Sequence, residues 1–196
     1  MMVELRINEQ DLRRIKRLMR KLEPRRRASV WFLGMDKVAG VILSKLKENV
    51  TNRILRVRTG RLRASLNRVV RFTADGIEAV VGSGVGFGKR VKYANILETG
   101  GIIRPRRAKY LTIPLSNALT KAGATKYPSA RDYPNTFVRN GVIYQKVGKR
   151  KVVPIFVLRK EVRIPAKRYL SRTVEMVRGR VERLLVDTIE REIRRV

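Results

Sequence analysis

The spacing of apolar residues changes twice along this chain, and those changes set the class of fold it can adopt. Leu12, Ile15, Met19 and Leu22 recur at intervals of three and four, the mark of one buried helical face. Asn8 can cap that helix, Ile7 with Leu12 can staple its first turn, and Pro24 ends it. A second helical series, Ala28, Trp31, Met35, Val38, Ile42 and Leu46, runs to a polar stretch at 49–52. Beyond a turn-and-link segment at 59–66 the period falls to two. Residues 68–73 and 77–83 read as strands joined at Asp75-Gly76, a favoured tight-turn pair. Residues 137–144 carry the strongest local signal. Asn140-Gly141 suits a type I′ turn, which sets Val138 opposite Ile143 and Phe137 opposite Tyr144. Residues 110–114 and 152–158 add strands, and Pro154, which cannot donate to a ladder, predicts an edge or a bulge. The helical period returns at Leu170, Val174, Val177, Val181 and Leu184, with Pro165 suited to the first helical position. Helices, then hairpins, then a helix predict an α+β fold: N-terminal helices, an antiparallel sheet built from hairpins, and a long C-terminal helix.

Shorter segments fill the gaps. Residues 93–97 read as a single helical turn closing at Gly100-Gly101, and 115–121 as a short helix or turn. Two stretches, 82–88 and 123–134, are rich in loop-forming residues and read as exposed loops. The predicted division is a basic helix and linker at 1–27 followed by one α+β domain at 28–196.

Charge narrows the function. The chain has 196 residues, with 47 Lys and Arg against 16 Asp and Glu, a formal net charge of +31. A folded body so charged repels itself, so its working state requires something negative nearby: nucleic acid, an anionic membrane surface or a strongly acidic protein. A hydrophobic content of 43% argues against a disordered basic tail. No apolar run reaches the roughly 18 residues of a membrane span, and Met1–Leu5 lacks the pattern of a signal peptide. The expectation is a protein kept in the cytoplasm or assembled into a particle there. With no cysteine and no histidine, thiol nucleophiles, imidazole bases and the commonest transition-metal ligands are excluded, and the chain is not expected to be an enzyme.

Candidate chemical motifs are few. Gly82–Lys89 invites a phosphate-loop reading, but Ser83 stands where the first glycine belongs and Arg90 replaces the Ser or Thr. Asp75, Glu78, Glu98, Asp132 and Glu161 are the carboxylates a Mg²⁺ nuclease would draw on, and none has a spacing that singles it out. No cofactor and no metal is expected. Three basic clusters can meet phosphates or an acidic partner: Arg25-Arg26-Arg27, Arg104-Pro105-Arg106-Arg107-Ala108-Lys109 and Lys149-Arg150-Lys151. Aromatic content of 6% is thin for a platform that stacks single-stranded bases. The basic C-terminal helix has a narrow seam without Trp or Phe, which favours packing on its own sheet or a neighbouring subunit over lying on a membrane.

Three segments, in order, carry a resemblance: Arg58-Thr59-Gly60-Arg61-Leu62-Arg63-Ala64-Ser65-Leu66, Tyr93-Ala94-Asn95-Ile96-Leu97-Glu98-Thr99-Gly100-Gly101, and Ile164-Pro165-Ala166-Lys167-Arg168-Tyr169-Leu170. The set resembles the neck, or tail-completion, proteins of long-tailed phages, including the Mu-type virion morphogenesis proteins. That family shows Thr-Gly-x-Leu before the first hairpin, a Tyr-Ala-x-x-x-Glu-x-Gly turn, and Pro-Ala-Arg-Pro-Phe-Leu leading into the last helix. Here Lys167-Arg168 replaces the usual Arg-Pro. The likeness extends over about residues 28 to 190, and 109–115 with 153–158 is similar to the longer members. The resemblance implies a virion subunit at the head–tail junction, present in the host cytoplasm during assembly. It would form a ring, commonly six-fold, between the head connector or adaptor and the tail terminator or tube, with phage DNA passing nearby and no membrane. Thr59, Gly60, Leu62, Tyr93, Glu98, Gly100, Pro165 and Leu170 are then structural. Tyr93 and Leu97 would pin their turn to the core, and Glu98 would accept backbone N–H groups or pair with Arg104. Six copies would bring together 186 formal positive charges, six times +31. A free architectural nucleic-acid-binding protein is the alternative reading, since it accounts for the same charge.

Overall fold

The computed structural model describes residues 9–55, 57, 59–74, 76–87, 89–148 and 150–195. The Asn8 cap with its Ile7 staple, Arg58, Asp75, Gly88 and Lys149 lie outside them. The architecture is α+β, with helices first, antiparallel hairpins next and a long helix last. The chain divides elsewhere than at residue 27. One compact unit comprises Met1–Glu98 with Lys167–Val196, and a second comprises Thr99–Ala166.

The first unit opens with α1 (Glu9–Met19) and α2 (Pro24–Glu48). Pro24 does not terminate α1, which stops at Met19; it opens α2, where the first helical position needs no N–H and suits its fixed φ. Arg27 closes the corner between the two helices, with Nε donating to the Leu22 carbonyl at 2.6 Å and Nη2 to that of Arg20 at 3.3 Å. A π-helical turn (Asn49–Arg53) follows α2, then α3 (Arg61–Ser65) and the hairpin β1 (Leu66–Thr73) and β2 (Gly76–Ser83). Thr73 pairs with Gly76, so Gly76 already belongs to β2, and the register lies one residue earlier than a tight turn at Asp75-Gly76 would set. α4 (Ala94–Thr99) ends the first passage, and α5 (Tyr169–Arg194) completes the unit.

Two apolar clusters hold this unit together. Ile15, Met19 and Leu22 of the α1 segment join Val30, Val38 and Ile42 of α2 and Val177, Val181, Leu185, Val186 and Ile189 of α5. The N-terminal helix is therefore part of the core and not a detached basic arm. α5 packs chiefly on α2 and α1. Two helical neighbours cover a wider arc than one seam requires, which is why Leu185 and Val186 are buried while Leu184 is half-buried. The second cluster gathers Leu46, Val50, Leu62, Leu66, Ala94 and Tyr169. Beside it lies a buried polar contact, Asn49 Nδ2 donating to Thr173 Oγ1 at 2.8 Å, while that hydroxyl donates to the Tyr169 carbonyl at 2.6 Å.

The second unit contains β3 (Gly101–Ile103), β4 (Leu111–Pro114), β5 (Thr136–Arg139), β6 (Val142–Val147), β7 (Lys151–Arg159) and β8 (Val162–Ile164). β3 pairs with β8, and a four-stranded antiparallel sheet runs β4-β7-β6-β5. The Asn140-Gly141 hairpin has the predicted register, Val138 with Ile143 and Phe137 with Tyr144. Pro154 lies on β7, an inner strand, at a bulge: Ile143 pairs with Phe156 but Tyr144 with Pro154. The extra residue, Ile155, is fully buried in the unit's own core with Ala118, Tyr133, Ile143 and Phe156. The stretch 123–134 is irregular and mostly exposed, as expected of a loop, but it is anchored. Tyr133 is buried, its hydroxyl donates to the Ala118 carbonyl at 2.7 Å, and a capping box of Ser129 and Asp132 opens a 3₁₀ turn at Ala130–Asp132.

Candidate functional site

The long C-terminal helix begins at Tyr169, four residues after the position Pro165 was expected to open. Val162–Ile164 is paired with β3, so the chain is still extended where a helix from Pro165 would have to start. Arg168 then turns it with φ 49°, a left-handed conformation, and has no side-chain oxygen to cap the helix. Glu98 performs that function from α4. Its carboxylate accepts the Leu170 N–H at 2.7 Å, the Ser171 N–H at 3.1 Å and the Ser171 hydroxyl at 2.7 Å. Glu98 is buried, and its negative charge sits at the positive end of the helix dipole. Lys167 N–H donates to the Leu97 carbonyl at 2.8 Å and Arg168 N–H to that of Glu98 at 3.2 Å, so the two segments are stitched by backbone as well. Of the two roles left open for Glu98, it takes the cap; Arg104 pairs with Glu161 instead, at 2.9 Å.

The three segments that carry the resemblance thus meet in one place. Gly60, with φ 69°, caps α3 and turns the chain so that Leu62 enters the second apolar cluster. Ala94 is in the same cluster, with Leu97 and Leu170 packed against it and Tyr169 inside it. Tyr93 does not pin its turn: it is 42% exposed, because Ala94, Leu97 and Glu98 are the positions one helical turn apart that face inward. Thr59 is exposed. Gly100, with φ 72°, has room for no side chain, since a Cβ would stand 2.8 Å from the Ala166 nitrogen. Burial raises the Tyr169 hydroxyl to a pKa of about 12, with the neighbouring Glu98 charge adding to the shift.

The expected carboxylates all have structural contacts where they are described. Glu78 pairs with Arg71 at 2.7 Å, Glu161 with Arg104, and Asp132 accepts the Ser129 N–H at 2.9 Å. Among the described residues no group of three His, Cys, Asp or Glu side chains is gathered to hold a metal. Gly82 and Ser83 of the expected loop end β2, paired with Asn67 and Leu66; the loop begins at Gly84, has two left-handed glycines, Gly84 and Gly86, and presents Phe87 wholly to solvent. Among the described residues no helix is long and apolar enough to cross a membrane.

The basic clusters separate by unit. In the first unit Arg25 and Arg26 are exposed at the start of α2, which has no acidic residue in its first turn, whereas Arg27 is tied to carbonyls. In the second unit Arg104, Arg106, Arg107 and Lys109 lie in the link from β3 to β4, and Arg150 and Lys151 lie at the start of β7. The link joins β4 at Leu111, which pairs with Arg159, so these two groups stand at opposite ends of β7, roughly 25 Å apart for a strand of this length. Arg159, Lys160 and Arg163 are exposed near the first group and extend it; their dispersal among strand residues hid them from a search for runs. By composition the second unit has fifteen Lys and Arg but only Asp132 and Glu161 to offset them, a net +13, against thirty-two and fourteen in the first.

Compared with protein-family models, with curated proteins and with solved structures, the chain finds no match.

Proposed function

We propose that this chain is a structural subunit of a phage virion, a neck or tail-completion protein whose copies form a ring between the head connector and the tail. The observation that carries the reading is the convergence around Glu98. Three short segments, far apart in sequence and resembling in their order motifs of the neck family, meet at one apolar cluster and one helix cap. Their joint presence in one chain then has a physical reason, because together they set where the last helix starts. The function is assembly and not turnover. In a closed ring each subunit uses two different surfaces, and part of the +31 charge faces DNA or acidic neighbours. Imaging the assembled particle by cryo-EM tests this directly, with a ring of this chain at the head–tail junction as the expected result. Purified protein followed across a salt series tests the charge argument. Assembly that is indifferent to salt, with no DNA retained at low salt, would count against it.

The net +13 of the second unit supports a second reading, a free architectural protein that binds nucleic acid without sequence preference. It calls for a monomer or dimer with tight, steeply salt-dependent duplex or RNA binding in the absence of phage proteins. A particle lacking the chain while the free protein coats nucleic acid would favour it.

A further inference from the structure

The outer edge of the four-stranded sheet is open in a way that selects its occupant. Arg139 and Val142 flank the two-residue turn at Asn140-Gly141, whose φ values of 49° and 72° are those of a type I′ hairpin. In such a hairpin the flanking pair exchanges both hydrogen bonds, and the bonded pairs then alternate. Phe137 with Tyr144 is the next bonded pair, and the Lys146 N–H donating to the Asn135 carbonyl at 3.0 Å continues the series. The N–H and C=O groups of Thr136 and Val138 therefore point away from β6, and their N–H groups meet no acceptor among the described residues. Proteins blunt such edges with proline, charge or a covering segment. Here Val138 lies on the same face as the core residue Ile143, yet is 61% exposed.

We propose that the edge of β5 receives an extended acidic segment of a partner protein as a fifth strand. Main-chain bonds would come from Thr136 and Val138, with an apolar residue against Val138 and carboxylates on the opposite face. That opposite face holds Arg139, Phe137 and Tyr144, with Lys146 Nζ 5.7 Å from the centre of the Phe137 ring. Charge supports the choice: residues 121–151 contain eight Lys and Arg against Asp132 alone, whose carboxylate accepts the Ser129 N–H. A second copy of this chain is a poor occupant. Among the described residues its strands contain one carboxylate, Glu78, already paired with Arg71. Nucleic acid fits worse, because a phosphate backbone has no N–H groups for the outward carbonyls of Thr136 and Val138. The inference does not rest on the head–tail reading.

Amide hydrogen exchange on the full chain, followed by NMR, tests it with a synthetic ten-residue peptide of alternating Glu and Val. A peptide of alternating Lys and Val serves as the control. The acidic peptide is expected to slow exchange at Thr136 and Val138 by about tenfold or more, and the basic one to leave it unchanged. Val138→Pro removes an N–H that β6 does not use. It should abolish the effect while the Phe137 and Arg139 amides stay protected, showing the hairpin intact. Arg139→Glu, at an exposed position, should weaken binding about fivefold. No protection by the acidic peptide, or equal protection by both peptides, would overturn the proposal. So would protection that rises with protein concentration alone, or protection produced by duplex DNA.

Discussion

Replacing Glu98 by glutamine removes one charge from the start of α5 and almost nothing from the volume of the site. One carboxylate oxygen accepts the Leu170 N–H, and the other accepts the N–H and hydroxyl of Ser171. Glutamine keeps one acceptor and turns an NH₂ group toward the other donors. If its oxygen stays with Ser171, the Leu170 N–H loses its partner in a buried site, a cost of about 1–3 kcal/mol. Loss of a partly buried charge at a helix N-terminus adds up to about 2 kcal/mol. Relief of the carboxylate's desolvation offsets part of both, leaving a net destabilisation of about 2–4 kcal/mol. For a chain of this size that lowers the melting midpoint by roughly 5–15 °C. Far-UV circular dichroism follows it well, since α5 is the longest helix among the described residues. A double-mutant cycle with Ser171→Ala should return a coupling of about 1–2 kcal/mol. A Glu98→Gln protein within about 0.5 kcal/mol of the parent, or a coupling near zero, would refute the view that Glu98 substitutes for the missing cap at Arg168.

Tyr169 predicts an alkaline limit. Its hydroxyl has a pKa raised to about 12, so the unfolded chain ionises first, and its contribution is intact below pH 10 and lost as pH rises toward 12. The loss is on the order of 2–3 kcal/mol, and urea titrations at stepped pH should show it in the parent but not in Tyr169→Phe. Gly100→Ala should cost more than about 2 kcal/mol, as both the φ of 72° and the approach to the Ala166 nitrogen oppose it; a melting curve unchanged from the parent contradicts that. Arg27→Ala should lose about 1–2 kcal/mol of stability because it frees two helix-end carbonyls, whereas Arg25→Ala with Arg26→Ala should stay within about 0.5 kcal/mol while weakening retention on DNA at low salt.

Signals confined to a few neighbouring residues were legible in advance. Asn140-Gly141 determines a turn whose geometry fixes register, so the pairing of Phe137 with Tyr144 could be read before any fold was known. Pro154 forced a bulge because a residue without an N–H cannot hold an unbroken ladder on an inner strand. Failures came where the deciding partner is remote. Pro165 looked like a helix start, but Ile164 is paired with Gly101. Tyr93 looked like an anchor, but the smaller Ala94 faces the cluster. The stretch 123–134 is the exposed loop its composition predicts, but nothing local shows that the Tyr133 hydroxyl anchors it to the Ala118 carbonyl. Of the candidate site, residues 59–66, 93–101 and 164–170 were visible as motifs, whereas their meeting at a cap was not.

The sequence by itself determined the order of the long helices and the main hairpins, the register of the Asn140-Gly141 hairpin and a net charge of +31, because periodicity, turn chemistry and composition are local or additive properties. Tertiary structure alone decided that the N-terminal helix belongs to the core, that the division falls at residues 98 and 167, and that Glu98 caps a helix more than seventy residues away. Those outcomes depend on which apolar faces and unpaired backbone groups find one another across the chain, and burial selects among pairings that the sequence leaves equivalent.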